Sequence, residues 1–319
     1  MSGADELRTL LAAGHVTHVP GVYDPVTAAL AVKAGHRAVH LSGVAVSALM
    51  LGRPDLGFVP ATQIADRAST LVPALDGVPL LADADIGYDD PQHAVWTALA
   101  YVRAGISGLH LADRVRTGRR GGTELTGVGP ASATIAALHN EVPDLVVIAR
   151  TDAFPANGLD DAILRCRAYA EAGADAVVPG DVDDLRDLAK LHAAAPGVPI
   201  VITRSEAGGS TPAATDAELA EAGVRLVLHP VAALLAALRA ASLVYRSIAD
   251  TGTAEPVDRL PWAAFTALAG QDEAPDARHA QGDGQTARLA QGDGQTARHA
   301  QGDGQSVRHT QGDLGRLQT

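Results

Sequence analysis

The chain has 319 residues, of which 47% are hydrophobic, enough for one large α/β domain plus an extension. A formal net charge of −12 argues against a nucleic acid or an anionic membrane as partner. Cys166 is the single cysteine, which excludes an intramolecular disulfide and points to a reducing compartment.

In chain order, Met1–Leu10 is polar, carries Asp5 and Glu6, and does not read as a signal peptide. No apolar run reaches the length of a membrane span, so a soluble cytoplasmic protein is expected. Strands are predicted at Val16–Val22, Ala38–Ser42, Val78–Asp83, Gly108–Ala112, Leu145–Arg150, Ala176–Pro179, Pro199–Thr203 and Arg225–His229. Helical patterns fall near 24–34, 61–74, 91–104, 130–140, 159–172, 182–194, 215–222 and 231–248. Lys33-Ala34-Gly35, Arg103-Ala104-Gly105, Glu171-Ala172-Gly173 and Glu221-Ala222-Gly223 share one helix ending, with Gly free to take the left-handed conformation. Strand–helix alternation with such short turns implies a parallel sheet. Eight units in about 240 residues predict an α/β fold, a (β/α)₈ TIM-type barrel, with a C-terminal helical extension. A doubly wound open sheet is the competitor, but no G-x-G-x-x-G follows the first strand.

The barrel and its C-terminal helix are expected over residues 1–270. Over 271–319, decamer repeats start at Gln281, Gln291 and Gln301, with almost no apolar side chains. Such a segment cannot bury enough area to offset the entropy of ordering, so a disordered tail is expected. Lysine occurs only at Lys33 and Lys190, neither at a strand end, which argues against a Schiff-base mechanism.

The most informative stretch is Leu80-Leu81-Ala82-Asp83-Ala84-Asp85-Ile86-Gly87. Residues two apart on a strand share a face, so Asp83 and Asp85 are expected to project together from a strand end. Their mutual repulsion and desolvation would be relieved by a hard cation, Mg²⁺ or Mn²⁺. The plain alternative is a pair of solvated carboxylates near the helix that starts at Pro91.

In a barrel of this type the C-terminal strand ends carry the chemistry. They offer Tyr23 and Asp24, Ser42 and Gly43, Asp55 in a Pro-Asp-Leu-Gly turn, Asp83 and Asp85, and His110 and Asp113. Further round lie Arg114, Arg116, Arg119 and Arg120, then Arg150 and Asp152, Asp181, Arg204 with Glu206, and His229. Carboxylates at one side to hold a cation and arginines at the other to hold an anion suit a metal bound with an anionic carboxylate substrate. Cys166 falls within a helix pattern, away from any strand end, and reads as core.

These residues resemble the isocitrate lyase and phosphoenolpyruvate mutase superfamily, on the branch containing 2-methylisocitrate lyase and carboxyphosphonoenolpyruvate mutase. The pieces that carry the resemblance are Pro20-Gly21-Val22-Tyr23-Asp24, Leu41-Ser42-Gly43, Leu51-Gly52-Arg53-Pro54-Asp55-Leu56-Gly57, Ala82-Asp83-Ala84-Asp85-Ile86-Gly87-Tyr88 and Ile148-Ala149-Arg150-Thr151-Asp152-Ala153. The resemblance implies a barrel with Mg²⁺ held by Asp83 and Asp85, partly through water, with Asp55 beside them. It implies substrate carboxylate binding by the Ser42-Gly43 backbone and Arg150, and a tetramer that exchanges its last barrel helix. Arg204 is a further candidate for substrate binding, and Tyr23, Arg150 and Arg120 are the candidate catalytic residues.

The chain departs from that pattern in several places. Ala112-Asp113 stands where the family has Glu-Asp, Gly180 where it has Glu, Arg204 where it has Asn, and Arg119-Arg120-Gly121-Gly122-Thr123 where its lyases carry a catalytic cysteine. The expected activity is Mg²⁺-dependent carbon–carbon cleavage of a small 2-hydroxy or 2-oxo carboxylate, by retro-aldol reaction or decarboxylation through an enolate. The alternatives are phosphorus–carbon chemistry on a phosphonate or enol phosphate, and a degenerate non-catalytic barrel subunit.

Overall fold

The computed structural model describes residues 1–268 apart from 56, 58, 86–89, 116–123 and 205–213. They belong to a compact unit spanning Met1–Asp272. The expectations for the 271–319 tail, for Gly87, for Glu206, and for Arg116, Arg119, Arg120 and Gly121 lie outside the described residues.

Eight parallel strands are observed: β1 Thr17–Pro20, β2 Val39–Leu41, β3 Leu80–Asp83, β4 Gly108–Ala112, β5 Val146–Thr151, β6 Ala176–Pro179, β7 Ile200–Thr203 and β8 Val224–His229. Their order is β1-β8-β7-β6-β5-β4-β3-β2. The remaining gap, between β1 and β2, carries a single parallel bridge, Gly21 to His40, with the Val22 amide donating to the His40 carbonyl at 2.9 Å. A nearly closed (β/α)₈ barrel results, as the alternation of patterns predicts.

The helices are α1 Gly3–Ala12, α2 Pro25–Lys33, α3 Gly43–Leu51, α4 Ala61–Leu71, α5 Pro91–Arg103, α6 Val128–Glu141, α7 Ala153–Asn157, α8 Leu159–Glu171, α9 Leu185–Ala194, α10 Asp216–Glu221, α11 Ala232–Thr251 and α12 Trp262–Leu268. Three of these, α1, α3 and α7, have no counterpart in the sequence reading. The polar N-terminus is in fact an amphipathic helix. Ser2 and Asp5 form a reciprocal cap, and Ala4, Leu7, Leu10 and Leu11 are buried. These side chains join Val19, Leu81, Val146, Ile148 and Leu226 inside the barrel. At the start of β4, a Cβ on Gly108 would lie 2.7 Å from Leu7, so α1 plugs the N-terminal end.

Period-two alternation sorts each strand between two apolar layers. Leu81, Ile148 and Val178 face the interior, whereas Leu41, Ala82, Leu109, Ala149 and Val177 pack against the helices. His40, Asp83, His110, Ala112 and Arg150 fall on the interior side of their strands near the C-terminal rim. The register pairs Asp83 with His110 and Ala112 with Arg150.

One sequence expectation needs correction. Helix α11 is 20 residues long and apolar enough, by length and composition alone, to cross a membrane, although it carries Arg239 and Arg246. It is largely exposed in the single chain, with Leu235, Leu238, Tyr245 and Ile248 each at least 46% accessible.

Candidate active site

Asp83 is the centre of the site. Its Oδ1 accepts from His40 Nε2 at 2.9 Å and from His110 Nδ1 at 3.1 Å. Its Oδ2 accepts from the Gly43 amide at 2.8 Å and the Ser42 hydroxyl at 3.3 Å. Burial would push this carboxyl up, but the two imidazoles beside it outweigh burial and hold it well below the usual carboxylate range. An ionised carboxylate only accepts, so each imidazole presents an N–H to it. His110 is itself held below the ordinary imidazole value by burial, against the pull of Asp83. The far nitrogens, His40 Nδ1 and His110 Nε2, are buried without a hydrogen-bond partner among the described residues.

Ser42 and Gly43 reach Asp83 because α3 begins there. Ser42 caps the helix, accepting from the Val44 amide at 3.3 Å. The resemblance assigns the Gly43 amide to substrate carboxylate; here it is already donated to Asp83. Gly43 is also a position where a side chain would not fit, since a Cβ would lie 2.7 Å from Asp55 Oδ2 and 3.6 Å from Asp83 Oδ2. Two carboxylates therefore converge on one glycine. Asp55 is an exposed residue overall, yet its carboxyl is raised by partial burial and by the charge on Asp83, against a bond from the Gly57 amide.

Asp85 corrects the simplest expectation. β3 ends at Asp83, and Asp85 has φ of +49°, so the chain has left the strand and the two carboxylates do not project as a period-two pair. Asp85 still belongs to the rim: the Arg114 guanidinium is raised first by its bond to Asp152, and the charge on Asp85 adds to that.

This donor set suits a hard cation. Among the described residues, no three His, Cys, Asp or Glu side chains converge tightly enough to hold an ion unaided. Asp83 already accepts four hydrogen bonds. However, Mg²⁺ retains several waters and is commonly held through one or two carboxylates. Burial first, and the charge on Asp83 after it, raise Asp55, and a cation between Asp55 and Asp83 would offset both. The residues present therefore fit Mg²⁺ bound largely through water.

Arg150, half-buried at the end of β5, donates from Nε to Asp152 Oδ1 at 2.8 Å. Arg114 makes a short ion pair with the other oxygen of Asp152. The two guanidiniums thus share one carboxylate, and the charges of Asp181 and Asp85 also act on Arg114. Asp152 reaches over Gly180, where a Cβ would lie 2.4 Å from Asp152 Oδ1 and 3.0 Å from the Thr151 carbonyl oxygen. Gly180→Ala should therefore lower stability by about 1–3 kcal/mol, as overpacking does, and displace Asp152 from Arg150. A denaturation curve beside a crystal structure of the variant checks both.

The other residues singled out in the sequence have partners of their own. Tyr23 is buried against Ala45 and Leu234, and its hydroxyl is raised by burial and then by Asp24. Arg204, just past β7, donates to the Ala214 carbonyl at 3.1 Å. His229 meets His18 Nδ1 at 3.0 Å, and His18 Nε2 meets Asp216 at 3.1 Å. Cys166 is buried in α8 and its thiol is pushed up to about 12, by burial first and by Asp113 second. Lys190 pairs with Asp187 on the exposed face of α9.

Two features escaped sequence reasoning. His40 could have been found, since it lies two residues before Ser42 on one strand and so shares its face. The second is a network beneath the rim. Asp113 Oδ2 accepts from Arg165 at 3.0 Å and from the Tyr169 hydroxyl at 2.7 Å, and its Oδ1 accepts from the Asp152 amide at 3.1 Å.

Comparison with known proteins agrees with this architecture. A family model described as phosphoenolpyruvate phosphomutase matches residues 7–249. A 2-methylisocitrate lyase from Halalkalibacterium halodurans is 35% identical over 255 residues, covering 79% of this chain and 84% of that protein. The crystal structure of a 2,3-dimethylmalate lyase, a member of the PEP mutase/isocitrate lyase superfamily, superposes with a TM-score of 0.78 at 28% identity, over 88% of this chain and 99% of that one. A phosphonopyruvate hydrolase in complex with oxalate and Mg²⁺ superposes with a TM-score of 0.77 at 26% identity, over 88% and 99%. With the barrel, the Asp83 cluster and matches of this extent in agreement, the chain belongs to the phosphoenolpyruvate phosphomutase family, within the PEP mutase/isocitrate lyase superfamily.

Proposed function

We propose that this protein is a Mg²⁺-dependent lyase that cleaves a carbon–carbon bond in a small 2-hydroxy or 2-oxo carboxylate. The observation that carries the reading is the ionised Asp83, locked by four donors at the barrel rim with Asp55 turned towards it and Arg150 across the mouth. Asp83, Asp85 and Asp55 hold the cation, partly through water. Bound Mg²⁺ supplies Lewis-acid polarisation of a substrate carbonyl. Ser42 and Gly43 fix Asp83 in place, and Arg150 binds the substrate carboxylate. Arg204 adds positive charge to the rim. Tyr23, kept protonated by burial, is a proton donor, and Arg120 contributes positive charge from the loop after β4.

Cys166 is no substitute for a loop thiol, because it is buried and its pKa is raised. A missing general acid lowers rates by about 10²–10⁴, so 2-methylisocitrate should be a poor substrate and an oxo acid that needs no thiol proton a better one. A second reading, phosphorus–carbon cleavage, is supported by Arg114 and Arg150 at one mouth and by the likeness to phosphonopyruvate hydrolase. The test is turnover of oxaloacetate, 2-methylisocitrate and phosphonopyruvate with Mg²⁺, followed by proton and phosphorus NMR. Carbon–carbon cleavage of oxaloacetate is expected. Inorganic phosphate from phosphonopyruvate alone would favour the second reading, and no turnover of any would favour a non-catalytic subunit.

We further propose a cytoplasmic homotetramer built by exchange of α11, with α12 and its paired Trp262 and Phe265 in the same packing. Leaving Leu235, Leu238, Tyr245 and Ile248 in water is unfavourable. Leu238→Asp should reduce the assembly to a smaller species by light scattering. An unchanged mass would place the subunit contact elsewhere.

A further inference from the structure

A cavity of about 250 Å³ opens beside Arg150 and runs outward from Ala112 and Arg114, between the end of β4 and the first half of α6. Its mouth and its interior differ in chemistry. At the mouth, the guanidinium groups of Arg114 and Arg150 both bond the carboxylate of Asp152. Away from the arginines, Ala131 and Ile135 of α6, with the more exposed Pro130, present hydrocarbon. Asp90 and Thr126 also line the cavity, while three other polar side chains on its border are already engaged. The Thr134 hydroxyl donates to the Pro130 carbonyl, the Tyr169 hydroxyl donates to Asp113, and Asp113 is paired with Arg165. A hydrocarbon placed against Leu111, Pro130, Ala131 and Ile135 would leave water for an apolar wall.

We propose that this cavity receives the alkyl substituent of an acid whose carboxylate sits on Arg150, so that the substrate is a carboxylate bearing a chain longer than methyl. The proposal rests on the reading of Arg150 as the carboxylate site. At about 30 Å³ for each water-sized group, the cavity holds about eight, enough for a carboxylate and a butyl chain. The mouth selects the acid and the interior selects the chain length.

Malonate, ethylmalonate and butylmalonate, titrated calorimetrically with Mg²⁺ present, test this. Burying each methylene should tighten binding by about fourfold, so butylmalonate should bind at least about tenfold more tightly than ethylmalonate. Ala131→Phe fills the interior and should collapse that ratio towards one. Ala133→Phe, at a more exposed lining position, repeats the test with less risk to folding. A ratio near one in the natural protein, or a ratio unchanged in both folded variants, would overturn the proposal. Arg150→Ala separates it from the reading beneath it. Weaker binding of malonate and butylmalonate alike supports both, whereas unchanged malonate binding removes the carboxylate site and the head-group placement with it.

Discussion

Replacing Arg165 by methionine is expected to destabilise the barrel by about 3–5 kcal/mol, the scale seen when one partner of a buried ion pair is removed. Asp113 is 2% accessible at its side chain and Arg165 is 8% accessible. The guanidinium bonds Asp113, Asp161, the Thr126 carbonyl and the Tyr169 hydroxyl. Methionine fills much of the volume but leaves the Asp113 charge with only neutral partners, the Tyr169 hydroxyl and the Asp152 amide. Burial first, and the Asp113 charge second, push the Tyr169 hydroxyl far above the ordinary phenol value, so it stays protonated and continues to donate. For a domain of this size the loss corresponds to a drop in melting temperature of roughly 6–15 °C. Asp113→Asn in the same chain should recover part of it, because the stranded charge is then gone; a double-mutant cycle measures the coupling. A single variant within about 0.5 kcal/mol of the natural protein would mean that water reaches Asp113.

Asp83→Asn should have the largest effect on activity. The amide nitrogen must face either the two imidazoles, which would then have to change tautomer to accept, or the Gly43 amide, which can only donate. Leaving such groups unsatisfied costs about 1–3 kcal/mol. The side chain also loses the negative charge that would hold a cation. Groups that tune a metal site typically matter by about 10–100-fold, so turnover should fall by at least that factor, and the stabilisation by Mg²⁺ in a thermal melt should vanish. His40→Phe tests the same carboxylate from another side. It removes one donor, keeps the charge, and should affect turnover less than Asp83→Asn.

The barrel was legible because the strand–helix units repeat the same local signals: a short apolar run, a helical segment and, at four of them, a Gly just past the helix end. Asp83, Ser42 and Arg150 were legible for the related reason that a barrel delivers strand ends to one rim. What sequence could not show has physical causes. Asp85 leaves the strand in a left-handed conformation that non-glycine residues adopt rarely, so period two misplaced it. Arg165 lies in a helix, where arginine is usually solvated, and its partner Asp113 is 52 residues away. The Asp152 carboxylate fills the space above Gly180, a relation between β5 and β6 that no local pattern encodes. The apolar residues of α1 were masked by the charged ones among them, although their spacing places Leu7, Leu10 and Leu11 on one face.

The most direct test of the central claim, that the Asp83 cluster binds Mg²⁺ and an anionic carboxylate together, is a calorimetric titration of oxalate with and without Mg²⁺. The account predicts oxalate binding at least about tenfold tighter with Mg²⁺ present, and loss of that enhancement in Asp83→Asn. Oxalate binding of equal affinity with and without the metal, or an enhancement that survives in Asp83→Asn, would contradict it.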